Sequence, residues 1–179
     1  MRADKTVERD RYGKRSAAVL AGSEELPPLG AEGVPIELRR PYLRFEDWVG
    51  EAVNPDDAVL DLCCGDGQFS YVAAKAGARV TGLDLAEPSL ELAADRCPKN
   101  VDGKMERRTG DCESLPFDDA AFDGVVCAGG LSYGDWDLVL AEVRRVLRPG
   151  GWLIAVDSFN HNPIYRLNRW LHRVRGQRT

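Results

Sequence analysis

Histidine and cysteine are scarce in this chain, which has two histidines and five cysteines in 179 residues. The cysteines, at positions 63, 64, 97, 112 and 127, form no Cys-x-x-Cys pair, so we expect no metal site. Their odd number and irregular spacing favour reduced thiols, which are typical of the cytoplasm. We therefore expect a cytoplasmic protein that depends on neither zinc nor disulfides.

Long apolar runs are also missing. No stretch approaches the length of a membrane span, and no apolar segment follows the charged N-terminus, Met1 to Lys5. The sequence therefore predicts neither a transmembrane helix nor a signal peptide.

Positive charge is in deficit, with 24 Lys and Arg against 29 Asp and Glu and a net charge of -5. Such a balance does not attract phosphate backbones, so we expect no nucleic-acid partner. The length and the 44% hydrophobic content are typical of one globular domain.

The middle of the chain alternates between short apolar runs and helical patterns. Strands are predicted at 59–62, 78–84, 105–109, 122–127 and 152–156, and helices at 37–53, 69–76, 88–97 and 136–147. The segment 148–151, Arg-Pro-Gly-Gly, is predicted to end the last of these helices. This alternation predicts an α/β fold, a three-layer Rossmann-like parallel sheet with helices on both faces.

The two ends of the domain differ from this core at 36–158. Glycine and proline interrupt residues 1–35, which we interpret as a lid-like segment that can form a short helix at 6–20. Residues 159–179 are predicted to form a basic amphipathic helix. Its apolar side either packs on the protein or, in the alternative, lies on a membrane surface or near an anionic substrate.

A glycine loop, residues 61–67 (Asp-Leu-Cys-Cys-Gly-Asp-Gly), follows the first predicted strand. Ligands of open parallel sheets bind at this end of the strands, and the loop fits either a dinucleotide or S-adenosylmethionine. Asp61 and Asp66 would repel a pyrophosphate but suit the ammonium and sulfonium of S-adenosylmethionine. Asp84, which ends the second strand, can accept both hydroxyls of an adenosyl ribose.

Four segments resemble class I S-adenosylmethionine-dependent methyltransferases, in order and at family spacing. Residues 59–67 resemble the family's motif I, although Cys63 stands where the family usually has glycine, and 80–85 resemble the segment after it. Residues 110–127 are similar to the adenine-side loop and fourth strand, and 147–152 to the turn into the fifth strand. S-adenosylmethionine is therefore the expected cofactor.

A complete family sheet has seven strands, with an antiparallel pair after the fifth. The residues after Val156 read as a single helix, so we expect that pair to be absent. Either the chain is a short or truncated member of the family, or a partner chain or a second copy in a homo-oligomer covers the edge of the fifth strand.

The resemblance also implies roles for individual residues. The loop, with Asp61, would face the methionyl part, Asp84 the ribose, Asp111 and Cys112 the adenine, and residues 127–130 the sulfonium. The expected cofactor-binding residues are Asp61, Cys63, Gly65, Gly67, Asp84, Leu85, Asp111, Cys112, Cys127 and Ala128. We interpret the cysteines as small residues chosen for fit rather than redox groups.

His161 and Tyr133 are the candidate catalytic residues. His161 could deprotonate an acceptor hydroxyl or make one structural hydrogen bond, and Tyr133 could orient the acceptor, cover the sulfonium or pack in its loop. Methyl transfer needs no such base, because alignment of the reactants supplies most of the acceleration.

The predicted function is methyl transfer from S-adenosylmethionine to a small-molecule acceptor. A hydroxyl of a sugar or another metabolite is the expected acceptor, because residues 160–169 and 175–179 look like segments of methyltransferases found with polysaccharide-assembly enzymes. Two alternatives stay open: a non-catalytic protein that binds S-adenosylmethionine or a partner, and an NAD-dependent oxidoreductase.

Overall fold

Five parallel strands form one sheet at the centre of the protein, and the computed structural model describes residues 5–157. The strands are β1 (Ala58–Leu62), β2 (Arg79–Asp84), β3 (Met105–Thr109), β4 (Phe122–Ala128) and β5 (Leu147–Val156). The α-helices are α1 (Lys5–Leu20), α2 (Arg39–Ala52), α3 (Ser70–Ala76), α4 (Glu87–Asp95), α5 (Lys99–Asp102) and α6 (Trp136–Val146). Short 3-10 helices cover Gly30–Gly33 and Leu131–Tyr133.

The strand order is β3-β2-β1-β4-β5, with every pair parallel. The chain moves outward from β1 to β3, then returns to the other side of β1 as β4. This reversal lies between β1 and β4, where open α/β sheets bind their ligands. The glycine loop follows β1 directly and therefore lies at that point.

Each face of the sheet has its own hydrophobic core. On one face Leu60 and Val125 pack with Val139 and Val143 of α6. On the other face Val59, Val80 and Val126 pack with residues of α2, α3 and α5. Successive strand residues alternate between the two cores, which confirms the predicted three-layer Rossmann-like fold.

Helix α6 ends at Val146, as expected, but the predicted start of the fifth strand was wrong: β5 begins at Leu147, five positions earlier, and includes residues 148–151. Leu147 pairs with Phe122, a register shift follows, and Trp152 then pairs with Gly124. Arg148 binds both carboxylate oxygens of Asp123 at 2.6 Å. This ion pair keeps the proline and glycine segment beside β4.

The N-terminal segment is more ordered than its composition indicates, because α1 runs over the full Lys5–Leu20. Its buried residues are only Gly13 and Ser16, so it lacks the apolar stripe that identifies a helix from sequence. It packs mainly against α4.

The sequence predicts no membrane span, no metal site and a helical C-terminal tail. Within residues 5–157 no helix is long and apolar enough to cross a membrane. Across the same residues, no group of three or more His, Cys, Asp and Glu could hold a metal ion. The predicted tail helix lies outside the described residues, which end at Asp157.

The contact between β4 and β5 gives a stability prediction. A Cβ at Gly124 would overlap the Trp152 ring, so Gly124→Ala should destabilise the protein by about 1–3 kcal/mol. Gly50, exposed in α2, has nothing within 4 Å of an added Cβ, so Gly50→Ala should stabilise by about 0.5–1 kcal/mol. Urea unfolding of both variants measures this, and equal stability of the two would contradict the packing described.

Candidate functional site

The carboxylate of Asp84 joins the second strand to the glycine loop. Its Oδ2 accepts the N–H of Gly65 at 2.9 Å, and its Oδ1 accepts the N–H of Ala86 at 2.9 Å. Each carboxylate oxygen can accept a further bond, so the side chain keeps capacity for two hydroxyl donors. Burial raises the pKa of Asp84 in spite of these N–H bonds.

Asp61 lies deeper, at the end of β1, with 2% of its surface exposed. Its carboxylate accepts a hydrogen bond from the Ser70 hydroxyl at the start of α3. Burial raises its pKa to about 7, and the nearby charges of Asp84 and Asp66 act in the same direction against the Ser70 bond. Without a cation beside it, Asp61 therefore keeps its proton up to about pH 7.

Asp66 has a different role from the one its charge suggested. Arg96 at the end of α4 pairs with its Oδ2 at 2.5 Å and also donates to the carbonyl of Pro27 at 2.6 Å. The negative charge of Asp66 is thus balanced within the protein. Its ion pair with Arg96 holds the loop in place, and the preference of this edge for a cation depends on Asp61 and Asp84.

Asp61 and Asp84 form no ion pair with a cationic side chain among residues 5–157. Two buried carboxyl groups without a countercharge favour a cation, which can take the place of the proton on Asp61, and they offer no positive charge to a pyrophosphate. The donor set therefore fits an adenosyl ligand that carries an ammonium, with its ribose at Asp84. It does not fit the phosphates of a dinucleotide.

The backbone of the loop is tightly turned. Gly65 and Gly67 have positive φ values of 53° and 76°. A Cβ on Gly65 would meet nothing within 4 Å, which leaves its backbone open to a ligand, whereas one on Gly67 would lie 3.1 Å from Ala93 of α4. The backbone at Gly65 is therefore accessible, whereas Gly67 allows the loop to pack closely on α4.

Cys63 adopts the left-handed conformation expected of the glycine it replaces, with φ of 57°. A non-glycine residue there costs about 1–2 kcal/mol. A Cβ on Gly130 would overlap Cys63, so Gly130 makes room for this side chain. The departure from the family pattern is accommodated by a second glycine after β4.

The three cysteines that are predicted to bind the cofactor lie together, since the Cys63 thiol contacts those of Cys112 and Cys127. The bond to Cys63, together with burial, raises the pKa of Cys112. The pKa of Cys63 is raised as well, because its bond to Cys127 and burial outweigh its bond to Cys112. The Cys63 and Cys112 thiols are therefore protonated at neutral pH, which supports a packing role over a redox one.

Asp111, the predicted adenine residue, is engaged by the N-terminal helix. Lys5 donates to its Oδ1 and Oδ2 at 2.9 and 2.7 Å and pairs with Glu113 at 2.6 Å. Burial raises the pKa of Asp111, but the bonds from Lys5 outweigh it and hold the pKa below its usual value. Sequence reasoning missed Lys5 and Glu113, because no local pattern signals a contact across 106 positions.

Three tyrosines surround the end of β4. The Tyr133 N–H donates to the Gly130 carbonyl, and the hydroxyls of Tyr133 and Tyr12 lie 3.0 Å apart. The Tyr42 hydroxyl lies 3.7 Å from where a Cβ on Gly129 would be, and its ring stacks on Phe69. Burial, with the bond to Tyr12, raises the pKa of Tyr133, so it is a neutral group rather than a base.

The other residues that are predicted to bind the cofactor lie at the carboxyl ends of the strands. Leu85 follows β2, and Cys127 and Ala128 end β4. His161 lies outside the described residues.

A family model described as a methyltransferase domain matches residues 59–151. The demethylmenaquinone methyltransferase of Lactococcus lactis is 33% identical over 114 residues, covering 61% of this chain and 45% of its own length. The 2-phytyl-1,4-naphtoquinone methyltransferase of Synechocystis is 38% identical over 121 residues, covering 65% of this chain and 49% of its own length. The chain thus spans about half the length of these curated relatives.

Solved structures are similar as well. The crystal structure of a SAM-dependent methyltransferase from Methanosarcina mazei superimposes with a TM-score of 0.59 at 34% identity, covering 70% of this chain and 64% of that one. The matched family segment includes the glycine loop, Asp84, Asp111 and Tyr133.

The raised pKa of Asp61 predicts a pH-dependent stability difference. The folded protein binds a proton that the unfolded chain releases at lower pH, so the free energy of unfolding falls as pH rises from about 4 to about 7. Asp61→Asn removes this titration. It should raise the melting temperature by several degrees at about pH 8, and by much less at about pH 4.

Thermal unfolding of the ligand-free protein at the two pH values tests this. Asp95→Asn, on the exposed side of α4, is the control and should follow the unmodified protein at both. An Asp61→Asn effect that is the same at both pH values would show that Asp61 does not hold the proton.

Proposed function

We propose that this chain, which belongs to the class I S-adenosylmethionine-dependent methyltransferase family, methylates a quinone in its reduced form. The acceptor would thus be a small planar ring. The use of S-adenosylmethionine is supported by one observation: Asp61 and Asp84 are carboxylates without a cationic partner in the described residues. The acceptor class is supported by the aromatic side chains around the end of β4 and by the names of the relatives.

The chain's own groups would hold the cofactor along the edge of the sheet. Asp84, already fixed by two N–H donors, would accept the two ribose hydroxyls. Asp61 would give up its proton when an ammonium approaches, so that a cation replaces a proton in a buried position. When bound, S-adenosylmethionine supplies a methyl group on a sulfonium, which is a good leaving group.

The residues near β4 would bind and orient the acceptor rather than activate it. Tyr133 is neutral and half-buried, so its hydroxyl can donate a hydrogen bond to a ring oxygen. Because its raised pKa keeps it un-ionised, it has no phenolate oxygen to take the proton of an acceptor hydroxyl. The rings of Tyr42 and Phe69 offer an apolar, planar wall close to Gly129. A quinol has the flat ring and paired oxygens that such a wall and such a donor accommodate.

The sugar hydroxyl predicted from sequence has weaker support. The segments that suggested it, 160–169 and 175–179, lie outside the described residues. The curated relatives named above carry quinone substrates in their names. A sugar acceptor and a non-catalytic binding protein are therefore the outcomes that the experiment must separate from quinol methylation.

The test is transfer of a labelled methyl group from S-adenosylmethionine to two acceptors under anaerobic, reducing conditions. A prenylated 1,4-naphthoquinol should be methylated, and a nucleotide sugar should not. Tyr133→Phe should raise KM for the quinol several-fold because it removes the orienting donor, with little change in affinity for S-adenosylhomocysteine. Tyr71→Phe, on α3 beside Lys75, is the matched control and should behave as the unmodified protein.

Two results would overturn the proposal. Methylation of the sugar alone would replace the acceptor class. Tight binding of S-adenosylhomocysteine with no transfer to either acceptor would favour the non-catalytic alternative.

A further inference from the structure

The N-terminal helix α1 lies across the carboxyl ends of neighbouring strands. Its Ser16 hydroxyl is 2.9 Å from that of Ser89 in α4, in a buried contact, and Gly13 packs against Ala86 and Pro88. At its middle Tyr12 meets Tyr133 after β4. At its first residue Lys5 reaches Asp111 after β3. The helix thus has a fixed position over the edge where the ligand site lies.

The Lys5 ammonium and the Glu113 N–H together take up most of the acceptor capacity of Asp111. Lys5 bonds both carboxylate oxygens, and Oδ1 also accepts the N–H of Glu113 at 2.9 Å. About a quarter of the Lys5 side chain is exposed, so the contact is partly shielded from solvent. Glu113 provides a second carboxylate for the same ammonium at 2.6 Å.

We propose that Lys5 competes with the exocyclic amino group of the cofactor's adenine for Asp111, and therefore helps to determine which base the site accepts. This inference rests on the proposed function and on the adenine position that the family resemblance implies for Asp111. The amino group is a neutral donor, and the acceptor position left to it is on Oδ2, the oxygen that Lys5 already bonds at 2.7 Å, so the two donors compete for the same oxygen. Glu113 then keeps Lys5 nearby.

Two consequences follow for binding. A competing group inside a site weakens the apparent affinity by the fraction of protein in which the site is free. Loss of the Lys5 charge should therefore strengthen binding of an adenine ligand. A hypoxanthine base has a carbonyl in place of the amino group, so it cannot bond Asp111 but can accept from Lys5, and the same loss should weaken its binding.

The experiment is a calorimetric titration of the full chain with S-adenosylhomocysteine and with S-inosylhomocysteine. Lys5→Met should tighten binding of the adenine ligand about five-fold, as expected for a partly exposed ion pair, and weaken binding of the hypoxanthine ligand. Lys14→Met is the matched control, because Lys14 is exposed on the same helix, and should change neither affinity. Lys5→Gln serves as a second variant if Lys5→Met does not fold.

The opposite changes for the two ligands distinguish competition from a structural role of α1, which would move both affinities in the same direction. Equal changes, no change, or weaker binding of the adenine ligand in Lys5→Met would overturn the inference and leave the proposed function intact. If the unmodified protein does not bind S-adenosylhomocysteine, both proposals fail.

Discussion

Two carboxylates without a cationic partner in the described part of the chain, Asp61 and Asp84, constrain the whole functional edge of this protein. They are close because β1 and β2 pair in parallel register, with Leu62 beside Leu83. Burial raises both pKa values, and the value of about 7 for Asp61 means that it holds a proton which a cation can replace. The glycine loop is fixed to this acidic centre by the bond from the Gly65 N–H to Asp84.

The loop can adopt its tightly turned conformation because neighbouring residues accommodate it. Cys63 is held in a left-handed conformation, and Gly130 supplies the space that its side chain needs. Arg96 balances Asp66, so the loop is tied to α4 without adding a third uncompensated charge. Strain and charge are thus compensated outside the ligand position, which leaves the Gly65 backbone and the Asp84 carboxylate available to a ligand.

Much of the fold could be predicted from sequence, because strands buried on both faces appear as short apolar runs such as Val59–Leu62. The start of β5 could not, since the ion pair of Arg148 with Asp123 overrides the local preference of a proline and glycine segment. In the site, motif spacing located the loop, Asp84 and Asp111. It did not locate Lys5, because α1 has no apolar stripe and its contact depends on tertiary position.

The central claim is that the acidic edge selects a cationic adenosyl ligand over a pyrophosphate. Calorimetric titration of the full chain with S-adenosylmethionine and with NAD, at equal ionic strength, tests it most directly. The charge arrangement predicts saturable binding of S-adenosylmethionine and none of NAD at the same concentrations. Binding of NAD with equal or higher affinity would contradict it.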